Sequence, residues 1–126
     1  MTISEAIHAP LMQRDTETKR EVLVRWLSTL DGQIFEQVVR RYERDPQYPS
    51  DRPTYDNDTD LDGQQLMISH PYDELYPTYL IMRIDLNHAD FDRYNNDLML
   101  YNQQYKAWAN NYNQTHRWMH RTDIRF

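Results

Sequence analysis

The chain has no cysteine, only two glycines and only two lysines, Lys19 and Lys106. Without cysteine, neither disulfides nor thiolate metal sites are available. Two glycines are too few for the phosphate-binding turns of a nucleotide-binding α/β enzyme. None of the patterns G-x-G-x-x-G, G-x-x-x-x-G-K or G-x-S-x-G occurs. No apolar run approaches the roughly 20 residues that a membrane-spanning helix requires, so no membrane partner is expected. Met1-Thr2-Ile3-Ser4-Glu5 lacks a basic stretch followed by an apolar one, so nothing marks the chain for export. Synthesis in a cytoplasm is expected, with the sequons at Asn57 and Asn113 left unglycosylated.

What is present is acid, arginine and rings. The 126 residues fit one domain, which at this size buries about two-thirds of its unfolded surface. The net charge of −6 argues against a surface that grips nucleic acid throughout, and no sequence-specific nucleic-acid binding is expected. Twelve arginines accompany the two lysines. Arginine is the better residue at interfaces, because its planar fork pairs a carboxylate at two points.

From Phe91 to Tyr112 large side chains recur at steps of three and four: Phe91, Tyr94, Leu98, Tyr101, Tyr105, Trp108 and Tyr112. Such steps keep side chains on one face of a helix, so these seven form a continuous stripe. The opposite face is rich in amides, among them Asn95, Asn96, Asn102, Gln103, Gln104, Asn110 and Asn111. A helix built this way is a packing or docking element. The stripe reads first as core, and second as a surface of which Tyr101, Tyr105, Trp108 and Tyr112 meet another subunit.

The remaining elements follow from caps and prolines. Thr2-Ile3-Ser4-Glu5 reads as a capping box opening a short helix that should end before Pro10. Thr18-Lys19-Arg20-Glu21 reads as a second box. The spacing of Leu23, Trp26, Leu27, Leu30, Ile34, Val38 and Tyr42 predicts one long helix over about 18–44, continuous through Asp31-Gly32. Residues 45–66, with Pro46, Pro49, Pro53 and a run of aspartates, predict a long polar loop. Leu66-Met67-Ile68 suggests a short extended segment. A third helix should start near Asp73 or Glu74, which places Pro77 where no amide donor is needed, and run to about Leu86. Asn87-His88-Ala89-Asp90 is a tight connection, with Asn87 a plausible cap, so the last two helices should form an antiparallel hairpin. The expectation is an all-α domain over 1–116, with a short N-terminal helix, three longer ones and an acidic loop. Residues 117–126 follow as a basic tail.

Few groups suggest chemistry. Asp58-Thr59-Asp60-Leu61-Asp62-Gly63 matches the first half of an EF-hand calcium loop, but the twelfth position is Ser69 instead of glutamate. Asp58, Asp60 and Asp62 are therefore read as a solvated acidic loop closed by Asx-turns, with calcium as the alternative. His116 and His120 have helical metal spacing but lack a third ligand. The carboxylate pairs Asp73-Glu74 and Glu17-Glu21 open helices, where the dipole favours negative charge. The tail, with Arg117, Trp118, Arg121, Arg125 and Phe126, suits docking on an acidic surface, contact with nucleic acid, or a frayed end. No cofactor and no catalytic residue is expected.

Pro71-Tyr72-Asp73-Glu74-Leu75-Tyr76, Ile84-Asp85, Arg93-Tyr94-Asn95-Asn96 and Tyr112-Asn113-Gln114-Thr115-His116, together with Trp26 to Gly32, resemble head–tail connector (adaptor) proteins of long-tailed bacteriophages. These are the kind found among prophage structural genes. The resemblance covers about 20–44 and 66–116 and departs at Pro77 and over 10–17. It implies an all-helical, non-enzymatic subunit made in the bacterial host cytoplasm and carried in the virion neck. Such a subunit forms a homo-oligomeric ring under the portal when assembled, offers a platform to tail-side phage proteins, and can exist as a monomer when alone. A different class of reading is a stand-alone helical protein-binding module, calcium-linked through 58–63; a small hydrolase with a spatially assembled site is the third.

Overall fold

The computed structural model describes residues 1–117. Within them the protein is all-α: α1 (Ile3–Gln13), α2 (Arg20–Gln37), a 3-10 turn (Val39–Arg41), α3 (Leu75–Asn87) and α4 (Phe91–Thr115). No helix among the described residues is long and apolar enough to cross a membrane.

Helix α1 opens with the expected box. The Glu5 amide donates to Thr2 Oγ1 at 3.2 Å, and the Thr2 amide donates to Glu5 Oε1 at 2.9 Å. The helix does not stop at Pro10 but runs three residues further, and the Arg14 amide still donates to the Pro10 carbonyl at 3.0 Å. Proline inside a helix costs about 3 kcal/mol. Here Ile3, Ala6, Ile7 and Pro10 are all buried at helical spacing, so core packing offsets the lost hydrogen bond.

Helix α2 starts at Arg20 with Lys19 as its N-cap and no side-chain cap. Thr18, expected to cap, is instead engaged by Thr16, whose hydroxyl lies 2.8 Å from its own. The helix passes through Asp31-Gly32 unbroken, as its spacing required, but ends at Gln37 and not near 44. Val39–Arg41 tightens into the 3-10 turn, which buries Val39.

The loop is sewn to the rest of the protein. Ile3 and Ser4 donate to the carbonyls of Gln64 (3.2 Å) and Leu61 (2.9 Å), and Leu66 donates to Met1 (2.9 Å). Thr2 and Gln65 form a single β-bridge. Leu66, Met67 and Ile68 are buried core residues, but no strand forms.

Helix α3 begins at Leu75 with Glu74 as N-cap, so Pro77 sits at the third helical position, where its missing donor costs nothing. Its C-terminus closes in a Schellman motif. The Ala89 amide donates to Leu86 and the Asp90 amide to Asp85, both at 3.0 Å, with Ala89 at φ 55°. Asp90, not Asn87, caps α4, its side chain accepting from the Arg93 amide at 3.2 Å.

The two helices then run antiparallel. Tyr79 meets Tyr101 with ring centroids 5.4 Å apart, while Asp85, further along α3, lies beside Asp97, nearer the start of α4. Helices α1, α2 and α3 pack on one another; among the helices of the described residues, α4 packs on α3 alone.

Candidate interaction surface

The stripe on α4 is graded along its length. Phe91 is 61% exposed, Tyr94, Leu98, Tyr101 and Tyr105 are half-buried, and Trp108 and Tyr112 are buried. This corrects the expectation for Trp108 and Tyr112: their rings are engaged by the chain's own 42–48 segment and are closed to a partner. Trp108 Nε1 donates to the Tyr48 hydroxyl at 3.2 Å. Tyr42 and Tyr48 each meet Tyr112 edge-on, at 5.3 and 5.2 Å between centroids. Edge-to-face pairs of this kind add about 0.5–1.5 kcal/mol each beyond burial.

His116 finishes the clasp. It stacks flat on Tyr112 at 3.8 Å, and its Nε2 lies 2.6 Å from Asp45 Oδ2. That hydrogen bond, with a second from the Gln47 amide, holds the Asp45 carboxyl below its ordinary range. Asn113 accepts from the Tyr42 hydroxyl. Thr115 Oγ1 is 2.9 Å from His116 Nδ1, so Thr115, His116 and Asp45 stand in the order of an acyl-transfer triad. The Thr115 hydroxyl, however, donates to the Asn111 carbonyl at 2.9 Å, which makes it a closure of the helix end.

A second polar centre was not anticipated from the sequence. Asp31, fully buried on α2, accepts from Tyr76 at 2.6 Å, Tyr55 at 2.5 Å and the Met67 amide at 3.1 Å. Burial raises its pKa, and these three donors counter part of the rise. Burial and the neighbouring Asp31 push the Tyr55 and Tyr76 hydroxyls up, so both remain donors. Tyr76 also accepts from the Ile68 amide at 2.8 Å. One carboxylate thus joins α2, α3 and the loop. The only sequence signal for it was an aspartate on an apolar face.

The other motif residues serve the fold. Asp73 is buried and takes the Met1 ammonium at 3.1 Å. Tyr72 is half-buried, its amide donating to Ser69, and Pro71 and Glu74 are exposed. Asn95 and Asn96 are exposed on α4.

In the acidic loop, Asp56 Oδ1 accepts from the Asp58 amide at 2.9 Å and Asp60 Oδ1 from the Asp62 amide at 3.2 Å. These are Asx-turns. A Cβ at Gly63 would lie 2.5 Å from Asp60 Oδ2, so a larger residue there would have to displace the exposed Asp60 side chain. Among the described residues no three His, Asp or Glu side chains converge as metal ligands.

Arg117 is exposed and tied to Glu43, whose amide donates to the Arg117 carbonyl at 2.7 Å. Trp118, His120, Arg121, Arg125 and Phe126 lie outside the described residues.

What remains open is the outer side of α4. Asn95, Asn96, Met99, Leu100, Asn102, Gln103, Ala107, Asn110 and Asn111 are exposed there, with Met99 at 64% and Leu100 at 47%. Between Asn95 and Thr115 only Asp97 and Lys106 carry charge. Comparison with family models, curated proteins and solved structures returns no match.

Proposed function

We propose that this chain is a non-enzymatic structural subunit that docks on other proteins through the outer side of α4, as a bacteriophage head–tail connector. In this reading it sits on the portal as one of a ring of copies, extends the DNA channel and receives tail-side proteins. The observation that carries the reading is the exposed, almost uncharged surface of α4, with Met99 and Leu100 set among amides. Depletion of charge marks the centre of protein interfaces, and amides satisfy backbone groups on a partner without the desolvation cost of an ion.

The residues that carry the resemblance supply the class of partner. Asp31, Tyr76 and Asp85 among them join helices, and His116 ties the end of α4 to the loop at Asp45, which supports reading them as parts of a scaffold. The net charge of −6 suits a channel wall past which DNA slides, because a basic lining would create a salt-dependent grip.

The test is to mix the full-length chain with the portal protein encoded beside it and follow co-migration by size-exclusion chromatography. Co-migration is expected, together with its loss in Leu100→Glu at an unchanged unfolding midpoint. Absence of co-migration with wild-type protein, or retention by the variant, would overturn this assignment of the surface. Genes for terminase, portal and capsid are expected upstream of this one.

A further inference from the structure

Arg14, just past the end of α1, meets Asp85 of α3 as a fork. Nε lies 2.8 Å from Oδ1 and Nη2 3.0 Å from Oδ2, so both oxygens of this buried carboxylate are taken. Asp97 of α4 comes within hydrogen-bonding reach of the same group. Its Oδ2 is sealed from solvent, and no donor among the described residues reaches it. The other charges bearing on the cluster are Asp90 and Arg93 at the head of α4, themselves 3.4 Å apart. One guanidinium therefore stands before two carboxyls, with its fork committed to one of them. Two carboxylates in contact do not both ionise readily, and a single proton between them converts the repulsion into a hydrogen bond.

We propose that Asp97 is held as the neutral acid, its hydroxyl donating to Asp85, and that this proton latches α4 to α3 and to the end of α1. Loss of the proton leaves two anions facing one another across the hairpin, and the first turns of α4 loosen from α3. Burial, followed by the hydrogen bond and charge of Asp85, pushes Asp97 up to about 7 from the ordinary 3.8. Burial alone would also raise Asp85, but the Arg14 fork overrides it and holds Asp85 low.

The signs of the two shifts are opposite. Below 3.8 Asp97 is protonated whether folded or not; from there to about 7 only the folded chain keeps the proton, so this contribution to stability declines across that window and then levels. Asp85 contributes stability above the ordinary carboxylate range, and acid removes it. The latch is therefore closed at mildly acidic pH, with Asp85 ionised and Asp97 neutral.

The experiment is a carbon NMR titration of the Asp97 side-chain carboxyl in the full chain, run beside thermal unfolding of wild type and Asp97→Asn. A midpoint near 7 is expected, and one near 4 overturns the proposal. The asparagine variant is permanently neutral and keeps a donor toward Asp85. The wild-type unfolding midpoint should fall relative to it between about pH 4 and about pH 7 and run level with it above, and parallel curves throughout would count against the latch. If the variant does not fold, the wild-type titration decides alone. Exchange of the Arg93–Leu98 amides, corrected for intrinsic rates, should rise between about pH 4 and about pH 7 in wild type and level off above; an unchanged rate also overturns the latch.

Discussion

Tyr76 and Asp31 face each other at 2.6 Å in the interior, α3 donating to α2, while the same tyrosine oxygen accepts from the Ile68 amide. Tyr76→Phe removes a donor from a buried carboxylate and an acceptor from a buried amide in one step. The expected loss is about 2–4 kcal/mol by urea denaturation, the sum of two unsatisfied groups. A loss below about 0.5 kcal/mol would mean that water or a rotated Tyr55 replaces it.

Ala89 occupies the left-handed position that closes α3, at φ 55°, where glycine is the favoured residue. Ala89→Gly should stabilise the protein by about 1 kcal/mol in chemical denaturation. A destabilised variant would show that the methyl group makes a contact outweighing the backbone strain.

Gly32 is a glycine in a helix interior without a positive φ, and a Cβ there would lie 3.2 Å from Arg52 Cδ. Arg52 is exposed and flexible enough to move by a few tenths of an ångström. Gly32→Ala should therefore gain up to about 1 kcal/mol from helix propensity. A net loss would locate a fixed role for Arg52 against α2.

Trp108 is a core residue, so Trp108→Ala should cost about 3–5 kcal/mol in the isolated chain, measured by thermal or urea unfolding. A partner-facing tryptophan would instead leave the isolated chain's stability nearly unchanged.

His116 holds Asp45 below its ordinary pKa of 3.8. A depressed carboxylate contributes stability above its unfolded value and loses it as pH falls through the folded one. Wild type should therefore lose more stability than Asp45→Asn on acidification from about pH 4 to about pH 2, followed by circular dichroism. Coincident acid limbs would show that the clasp adds nothing to folding.

The helices were legible because their signals are local. The Thr2/Glu5 box, the position of Pro77 and the spacing through Gly32 are all decided within a turn or two, and each stands in the structure. Boundaries failed where core packing or a competing hydroxyl intervened. Pro10 stays helical because the core holds Ile7 and its neighbours, and the Thr18 hydroxyl accepts from nearby Thr16, which leaves Lys19 as an N-cap without a side-chain bond. The turn over 87–90 was legible, and α3 ends at Asn87 where the end was expected near Leu86; only the cap was misplaced, Asp90 taking the role expected of Asn87. The polar centres at Asp31 and at Asp85 with Asp97 were unreadable for a different reason. Each joins residues far apart in the chain, and a lone aspartate on an apolar face does not name its partners. The stripe on α4 was legible as a stripe, but only the 42–48 segment decides that its last rings face inward.

Helix α4, 25 residues and about 37 Å long, is fastened near its start by Asp97 and at its finish by Tyr112 and His116. It behaves as a beam bedded on α3, where Tyr101 meets Tyr79, and pinned at two places, with Met99 and Leu100 close to the first pin and Asn110 close to the second. A load placed on the span is divided between a proton-dependent support and an aromatic one, so contact pressure and acidity act on the same mechanical member.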